Sequence, residues 1–371
     1  MSSPEKNVIV NFNCLKKDFD MERPVVLFVG TGINYYENDV SKNDVSKKDV
    51  SKKDVSWNAL LNHLLKHSIR MILPNNKQSD KIRKSFIGEG KQNKDLDELF
   101  PRMVKTTIVK QTLKNTSYVN LIQDFLYRQC PKEDLTKACS QYVTSKGDKC
   151  DYYTLFRLAD MILRCPNIKA VVTQNYDDFL EDAIDLLSKY YEQEKILQNL
   201  RKPRTVCDWK MEGDFSANSI NIYHVHGFIP RYNKIQAPKN NNIVLSLDEF
   251  YEDSRNVFSW QISSQLHFLF QYTCVFCGLS LDDYTSQRLL HYVKGKHKGN
   301  LYYITASEKK VKNTTLFELK NRFHTENGLT VLYCKQGFHK IYESIGELAQ
   351  IKIDTSNGEK NIGESNNGTK K

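Results

Sequence analysis

Two short motifs in this chain hold the side chains best suited to chemistry. Asn175 lies in the motif Thr-Gln-Asn-Tyr-Asp, and His226 stands directly before Gly227. An asparagine amide donates and accepts hydrogen bonds without changing its charge, whereas a histidine titrates near neutral pH and can take a proton. The two residue types are therefore sufficient to position a water molecule or hydroxyl group and to deprotonate it.

Both motifs follow runs that are typical of buried strands. Residues 169–173 are β-branched and apolar, and residues 178–187 then repeat apolar positions at helical spacing. Asn175 is thus predicted at the turn from a strand into a helix, where open α/β sheets place their ligands. A second strand-like run, 220–223, precedes His226. We therefore predict an amide and an imidazole at the ends of two strands.

Each of these residues also has a purely structural interpretation. Asn175 could cap the following helix, and His226 could be a buried structural histidine. His224 would share a face with His226 if the strand continued, but no glycine follows it. Asp177 could brace the turn without contacting a ligand. The functional interpretation is favoured for Asn175 and His226 because further motifs accompany them in a fixed order.

The first of these further motifs is a glycine turn near the N-terminus. The strand-like run 24–29 leads directly into Gly30-Thr31-Gly32-Ile33-Asn34, whose spacing permits a tight turn with backbone amides facing a pyrophosphate. A later strand-like run leads into Gly278 and Ser280, followed by Asp282 and Asp283, which could contact ribose hydroxyls or cap the next helix.

Taken in this order, the motifs over about residues 24–305 resemble the sirtuin family, and more closely its bacterial branch found in anti-phage defence. The resemblance implies that NAD⁺ is the substrate, with Asn175 positioning ribose or water and His226 acting as base. It implies that the remaining motif residues bind the cofactor: Gly30, Thr31, Gly32, Asn34, Gln174, Asp177, Gly278, Ser280 and Asp282.

Two departures from the sirtuin pattern bear on the reaction. Deacylating sirtuins carry two Cys-x-x-Cys pairs that bind zinc, whereas this chain has only Cys274 and Cys277 at that spacing, inside an apolar run. The Asp-Phe-Arg segment that follows the glycine turn in deacylases is also absent. We therefore expect no zinc and predict an NAD⁺ glycohydrolase that acts as a defence effector by depleting NAD⁺.

Other functions stay open at this point. A protein deacylase or ADP-ribosyl transferase is the alternative enzyme, and an ADP-ribose-binding or nucleic-acid-associated scaffold is the alternative without catalysis. Because a toxic NADase needs restraint, we expect a homo-oligomer and an activating or restraining partner protein, such as a defence ATPase or a nucleic-acid sensor.

Composition limits the class of protein. The chain has 371 residues, of which 40% are hydrophobic and 26% charged, as in a globular protein with a sizeable core. The N-terminal residues lack the apolar stretch of a secretory signal, and no apolar run is long enough to cross a membrane. Nine cysteines scattered along the chain favour a reducing cytoplasm, and the net charge of +10 is interpreted as a lysine-rich surface. We expect a cytoplasmic protein without membrane contact.

Strand-like and helix-like segments alternate, which predicts the α/β class with a Rossmann-like, doubly wound parallel sheet, the sirtuin-like fold. One NAD-binding domain, 1–354, is expected to include a helical insertion at about 74–165 and a loop at 38–56, and 355–371 to form a disordered polar tail. Further strands are predicted at 243–247, 274–276, 301–304 and 329–333, and helices at 57–69, 118–126, 153–163, 258–270 and 284–293.

The loop contains a repeat of five residues, Asp-Val-Ser-Lys-Lys in its regular form, between Asp39 and Trp57. A period of five matches neither a helix nor a strand, so no face collects the valines. We interpret the repeat as a passive surface loop of variable length. The alternative is a mobile lid, because the repeat leaves directly from the glycine turn.

Overall fold

The computed structural model describes residues 13–34, 55–73, 102–113, 115–144, 152–208, 218–231, 243–245, 249, 252, 255–256, 258–281, 283–306 and 314–334. The predictions for the regular repeat units, for the polar tail and for Asp282 lie outside these residues, as does the first part of the predicted insertion.

Within the described residues, seven strands form one sheet in which every neighbouring pair is parallel. The strand order is β3-β4-β2-β1-β5-β6-β7. The strands are β1 (Val25–Val29), β2 (Ile168–Thr173), β3 (Lys202–Val206), β4 (Ser219–His224), β5 (Thr273–Cys277), β6 (Leu301–Ala306) and β7 (Thr330–Cys334). The predicted α/β class and Rossmann-like parallel sheet are confirmed.

Described helices lie in the connections from β1 to β2, β2 to β3, β4 to β5, β5 to β6 and β6 to β7. They are α1 (Trp57–Ile72), α2 (Arg102–Thr112), α3 (Asn115–Gln129), α4 (Lys132–Thr144), α5 (Tyr153–Arg164), α6 (Phe179–Gln193), α7 (Trp260–Gln271), α8 (Tyr284–Val293) and α9 (Thr314–Glu326). Residues 13–20 are also helical, and a short 3-10 helix, Thr31–Asn34, follows β1. The predicted helices at 57–69, 118–126, 153–163, 258–270 and 284–293 are confirmed, with small shifts at their ends.

Capping explains where two of these helices begin. The Ser56 side chain accepts a hydrogen bond from the Ala59 amide at 3.3 Å, as expected for the residue before α1. Asp283 caps α8 by accepting from the Ser286 amide at 2.8 Å. Both caps satisfy a helix N–H that would otherwise have no partner in the first turn.

The sheet is covered on both faces, as parallel sheets are. Alternate residues of β1 enter two different hydrophobic clusters, with Leu27 on one face and Val26 and Phe28 on the other. The helices of the 102–164 block contribute to the same cluster as Leu27, through residues such as Ile122 and Phe156. These helices therefore pack onto the sheet and share its core.

One strand prediction is wrong, and one strand of the sheet was not predicted. Residues 243–245 of the predicted strand at 243–247 are not a strand, because they cross the ends of the sheet: the Val244 amide donates to the His226 carbonyl and the Val244 carbonyl accepts from the Tyr176 hydroxyl. Strand β3 was not predicted, because Pro203 and partly exposed neighbours obscure it. β3 lies at the edge of the sheet, and an edge strand tolerates proline.

The chain order creates one point where the direction of winding reverses. From β1 the chain places β2 beside it, then the edge strand β3, and then β4 between β2 and β3, before it returns to place β5 on the other side of β1. In open α/β sheets, ligands bind outside the carboxyl ends of the strands at such a switch point. Here those ends are the residues that follow β1, β2 and β5.

Candidate functional site

A pocket opens at the carboxyl edge of the sheet, at the switch point. Among the described residues it is lined by Gly30, Thr31, Trp57, Gln174, Asn175, His226, Gly278, Leu279, Ser280 and Asp283. Three separate loops, after β1, β2 and β5, and the turn after β4 thus meet in one cavity. Seven of the eleven residues that we predicted as catalytic or cofactor-binding are in this lining.

The main chain of Asn175 is held from both sides. Its amide donates to the Thr173 hydroxyl at 3.0 Å, and its carbonyl lies 2.9 Å from Nδ1 of His224. Its side chain is buried, and Oδ1 accepts no hydrogen bond from the residues that the structure describes. A buried amide oxygen without a partner normally costs free energy, so this atom is a candidate for contact with a ligand in the pocket.

His226 reaches the same pocket from a tight turn at the end of β4. The Gly227 amide donates to the His224 carbonyl at 3.2 Å, and Gly227 has a φ of +96°, a conformation that favours glycine. The Val225 amide donates to the Thr173 carbonyl at 3.0 Å, which joins this turn to the end of β2. The glycine permits this tight turn. The turn places the His226 imidazole in the pocket that Asn175 also lines.

His224 lies behind the pocket. It shares a sheet face with Ile220 and Ile222 by strand alternation, and its side chain is 1% exposed. Its Nε2 lies 2.8 Å from Oε1 of Glu181 in the first turn of α6. Burial lowers the His224 pKa, but the nearby Glu181 charge, the hydrogen bond with Glu181 and the Asn175 carbonyl outweigh burial, so the pKa is raised.

Asp177 braces the turn after Asn175. Its carboxylate accepts from the Asn34 side-chain amide at 3.1 Å and from the Phe179 backbone amide at 3.2 Å. Burial raises the pKa of Asp177 to about 7, and the neighbouring Asp178 charge adds to the rise, while the Phe179 hydrogen bond opposes it. Asp177 and Asn34 thus contact each other in the described geometry, and a contact of either residue with the cofactor stays a prediction.

The glycine turn packs against the loop after β5. The amides of Gly30 and Gly32 donate to the carbonyls of Cys277 and Gly278, at 3.3 and 3.0 Å. A Cβ at Gly30 would lie 2.5 Å from Leu279, and one at Gly32 would lie 2.8 Å from the Gly278 Cα. Both amides are used within the protein, and both glycines are required by close packing. A pyrophosphate contact elsewhere in this turn, which lines the pocket through Gly30 and Thr31, stays a prediction.

Another wall of the pocket is formed where the loop after β2 contacts the start of α8. Gln174 donates from its side chain to the Ser286 hydroxyl at 3.1 Å, and Ser286 lies in the turn that Asp283 caps. Ser280 lines the pocket as predicted. Asp283 lines it too, although the sequence interpretation did not separate a ligand contact from a cap at this position.

Trp57 is a pocket residue that sequence reasoning missed. It is the first residue of the helix predicted at 57–69, and its ring lies 5.6 Å from that of Tyr176. Its position as the first residue of α1, at the end of the repeat, places it in the pocket wall as well. The sequence could have indicated this role only through the residue type, because the large flat ring of a tryptophan at the end of a loop can contact a ligand.

The Cys-x-x-Cys pair is part of the core, as predicted. Cys274 and Cys277 lie on β5 and belong to the clusters on opposite faces of the sheet. Burial raises the pKa of the Cys277 thiol to about 12 and also raises that of Cys274. Two thiols that face apart and resist ionisation cannot chelate one zinc ion. The described residues contain no group of three or more potential metal ligands.

Comparison with known families supports the resemblance noted in the sequence. Residues 169–331 match the family model of the SIR2-like domain. The match supports a sirtuin-like family and, with it, a function related to NAD. It spans β2 to β7 and includes Asn175, His226, Gly278 and Ser280, whereas Gly30 and Trp57 reach the pocket from outside it. No curated protein matches the chain. None of the helices in the described parts of the chain is long and apolar enough to cross a membrane.

Proposed function

We propose that this protein is an NAD⁺ glycohydrolase that releases nicotinamide and ADP-ribose. One observation carries the proposal: the buried Asn175 amide, with Oδ1 unpartnered among the described residues, lines the same pocket as His226 at the switch point of a sheet that matches the SIR2-like family model. The Asn175 Oδ1 can accept a hydrogen bond from a ligand that enters the pocket.

The reaction suits these two residue types. In NAD⁺ the nicotinamide leaves as a neutral molecule from a cationic pyridinium, so its departure needs no general acid, unlike ordinary glycoside hydrolysis. The bond between ribose and nicotinamide breaks, with its electron pair going to the ring nitrogen. Water then forms a bond to the same ribose carbon and gives its proton to His226, from which the proton passes to solvent. Asn175 orients the ribose hydroxyl or the water.

Trp57 fits the leaving group. Its indole ring is part of the pocket wall and is held beside the Tyr176 ring, whose hydroxyl is fixed by the Val244 carbonyl at 2.6 Å. A tryptophan face attracts cations, and a pyridinium is a flat cation. After cleavage the nicotinamide is neutral, so this attraction weakens as the product forms. We assign Trp57 to the nicotinamide end of the pocket.

We further propose that NAD⁺ depletion serves defence against phage in the cytoplasm. Such an activity harms its own cell, so a homo-oligomeric state and a partner protein are proposed to restrain or trigger it. These proposals rest on the sequence resemblance. Expressing the protein in growing cells should lower cellular NAD⁺ and stop growth, and an Asn175→Ala variant should do neither.

Incubating the purified protein with NAD⁺ and separating the products by chromatography tests the enzyme activity. We expect nicotinamide and ADP-ribose in equal amounts, without added peptide or metal. The main alternative, a protein deacylase or ADP-ribosyl transferase, would require an acylated peptide or an acceptor protein for NAD⁺ consumption. Peptide-dependent turnover with zinc in metal analysis would favour the deacylase. Binding of ADP-ribose with no turnover would favour a scaffold.

A further inference from the structure

His224 and Glu181 form a buried pair that the reaction above does not use. The Asn175 carbonyl can only accept, so the His224 Nδ1 must carry a hydrogen and donate to it across 2.9 Å. One further proton lies between Nε2 and Glu181, 2.8 Å apart, whether it resides on the imidazole or on the carboxyl group. Thr205 of β3 donates to the same Glu181 oxygen at 3.1 Å.

The surroundings of His224 restrict it to this arrangement. The Phe228 ring lies 4.6 Å from the imidazole, and the charged groups that raise its pKa are Glu181, from α6, and Asp177, from the turn after β2. Both ring nitrogens therefore have fixed partners. The imidazole connects α6, through Glu181, to the peptide of Asn175.

Packing alone does not explain the pair. Ile220 and Ile222 occupy the same face of β4, so an apolar residue at 224 would continue the core. A buried ion pair is often no more stabilising than well-packed apolar side chains of similar volume. The pair is costly to bury, and the group that it holds, the Asn175 carbonyl, belongs to the residue whose side chain enters the pocket.

We propose that His224 and Glu181 are positioning residues that fix the Asn175 peptide and thereby aim its side-chain amide into the pocket. With the Asn175 amide held by Thr173 and its carbonyl by His224, only the side-chain torsions of Asn175 stay free. Pre-orientation of this kind lowers the entropy cost of reaching the reactive geometry. The kinetic part of this inference rests on the proposed function, and the structural part does not.

The sharpest variant is the double substitution His224→Phe with Glu181→Leu. It removes both partners together, so no buried charge is left alone, but the Asn175 carbonyl and the Thr205 hydroxyl lose their partners. We therefore expect the melting temperature to fall, as it does for other unsatisfied buried polar groups, and the diagnostic readout is kcat. The Asn175 carbonyl loses its donor, and we expect kcat for nicotinamide release to fall about 10²-fold, with KM for NAD⁺ nearly unchanged. Glu181→Gln keeps a hydrogen-bonding partner for a neutral His224 and should retain kcat within about 3-fold.

A matched control comes from a second buried carboxylate, outside the pocket lining. Asp160 of α5 accepts from the Tyr191 hydroxyl at 2.6 Å and from the Tyr142 hydroxyl at 3.1 Å. Asp160→Asn weakens a buried polar network of similar kind, so it should lower the melting temperature while leaving kcat unchanged. A purely structural role for His224 and Glu181 would give their variants this same pattern.

A second measurement does not depend on turnover. In protein labelled with ¹⁵N-asparagine, the side-chain amide signals of Asn175 are those that vanish in Asn175→Ala. We expect one sharp pair in the parent and in Glu181→Gln, and broadened or multiple signals in the double variant. Sharp, unshifted signals together with parental kcat in the double variant would overturn the inference. A parent that releases no nicotinamide would instead reject the proposed function, and the asparagine signals would still decide the positioning role.

Discussion

Two corners of the carboxyl edge of the sheet are built by opposite means. At the corner between β2 and β4, Asn175 and the buried His224–Glu181 pair are placed by hydrogen bonds, and His226 lines the same pocket as Asn175. At the corner between β1 and β5, glycines let two backbones touch, and their amides bond to carbonyls of the facing loop. The first corner supplies chemical groups, and the second supplies shape.

This difference predicts how each corner responds to substitution. Changing a side chain that faces the pocket at the β2–β4 corner removes chemistry and leaves packing nearly intact. Adding a side chain at the β1–β5 corner forces two backbones apart, so stability falls first and activity follows. Activity and stability should therefore separate at one corner and change together at the other.

The largest expected effect is at Asn175. Asn175→Ala should reduce nicotinamide release to the level of a control without enzyme, because the amide that orients the ribose or water is gone. The melting temperature should change little, since Oδ1 has no partner among the described residues whose bond could be lost. Chromatography of the products and a melting curve on the same sample check both statements. Substantial turnover by this variant would remove Asn175 from the mechanism.

His226 comes next. His226→Ala should lower kcat by about 10²- to 10⁴-fold, the usual contribution of a general base. If the imidazole acts as a base, kcat of the parent should fall at low pH, where the imidazole is protonated, and the residual kcat of the variant should lose that acidic limb. Rates measured across pH on parent and variant test this. An unchanged acidic limb in the variant would assign the base to another residue.

Gly30→Ala tests the corner between β1 and β5, where two backbones pack closely. The new Cβ would lie 2.5 Å from Leu279 and 2.6 Å from the Gly278 carbonyl, so the loops must shift. We expect a loss of about 1–3 kcal/mol in the free energy of unfolding, as for overpacking elsewhere, together with a higher KM. Gly295→Ala is the control: nothing lies within 4 Å of its Cβ, and only its left-handed φ of +69° opposes alanine. Equal losses at both glycines would contradict the packing role.

A smaller effect is expected at Trp57. Trp57→Leu should raise KM for NAD⁺ about 2- to 30-fold, because a cation–π contact of about 0.5–2 kcal/mol is lost. Trp57→Phe should give an intermediate value. The reduced dinucleotide has an uncharged nicotinamide ring, so its inhibition constant should hardly change between parent and Trp57→Leu. Equal weakening for both dinucleotides would mean that Trp57 contributes shape alone.

The last prediction concerns the pH dependence of stability at Asp177 and no effect on the reaction itself. Because its pKa is raised from 3.8 when unfolded to about 7 when folded, the protonated carboxyl stabilises the fold. That stabilisation is fully present below about pH 4 and is lost as the pH rises through about 7. Asp177→Asn should therefore flatten the pH dependence of the free energy of unfolding across this range. An identical slope in parent and variant would show that Asp177 titrates normally.

The sequence predicted the elements that have strong local signals. Apolar β-branched runs predicted β1, β2 and β5, and helical spacing with a serine cap predicted α1. Strand β3 was missed because edge strands need neither full burial nor regular alternation. Residues 243–245 look like a strand in composition, but their hydrogen bonds go to the ends of other strands.

By itself, the sequence determined the residue types at the strand ends, the order of the motifs and the parallel α/β class, because buried periodicity and turn residues are local properties. Only the tertiary structure decided that Trp57 joins the pocket, that Asp177 holds Asn34, and that the glycine amides bond to the loop after β5. It also decided which histidine faces the pocket: His226 does, while His224 turns to Glu181. These contacts join residues far apart in the chain, and their partners depend on which strands become neighbours.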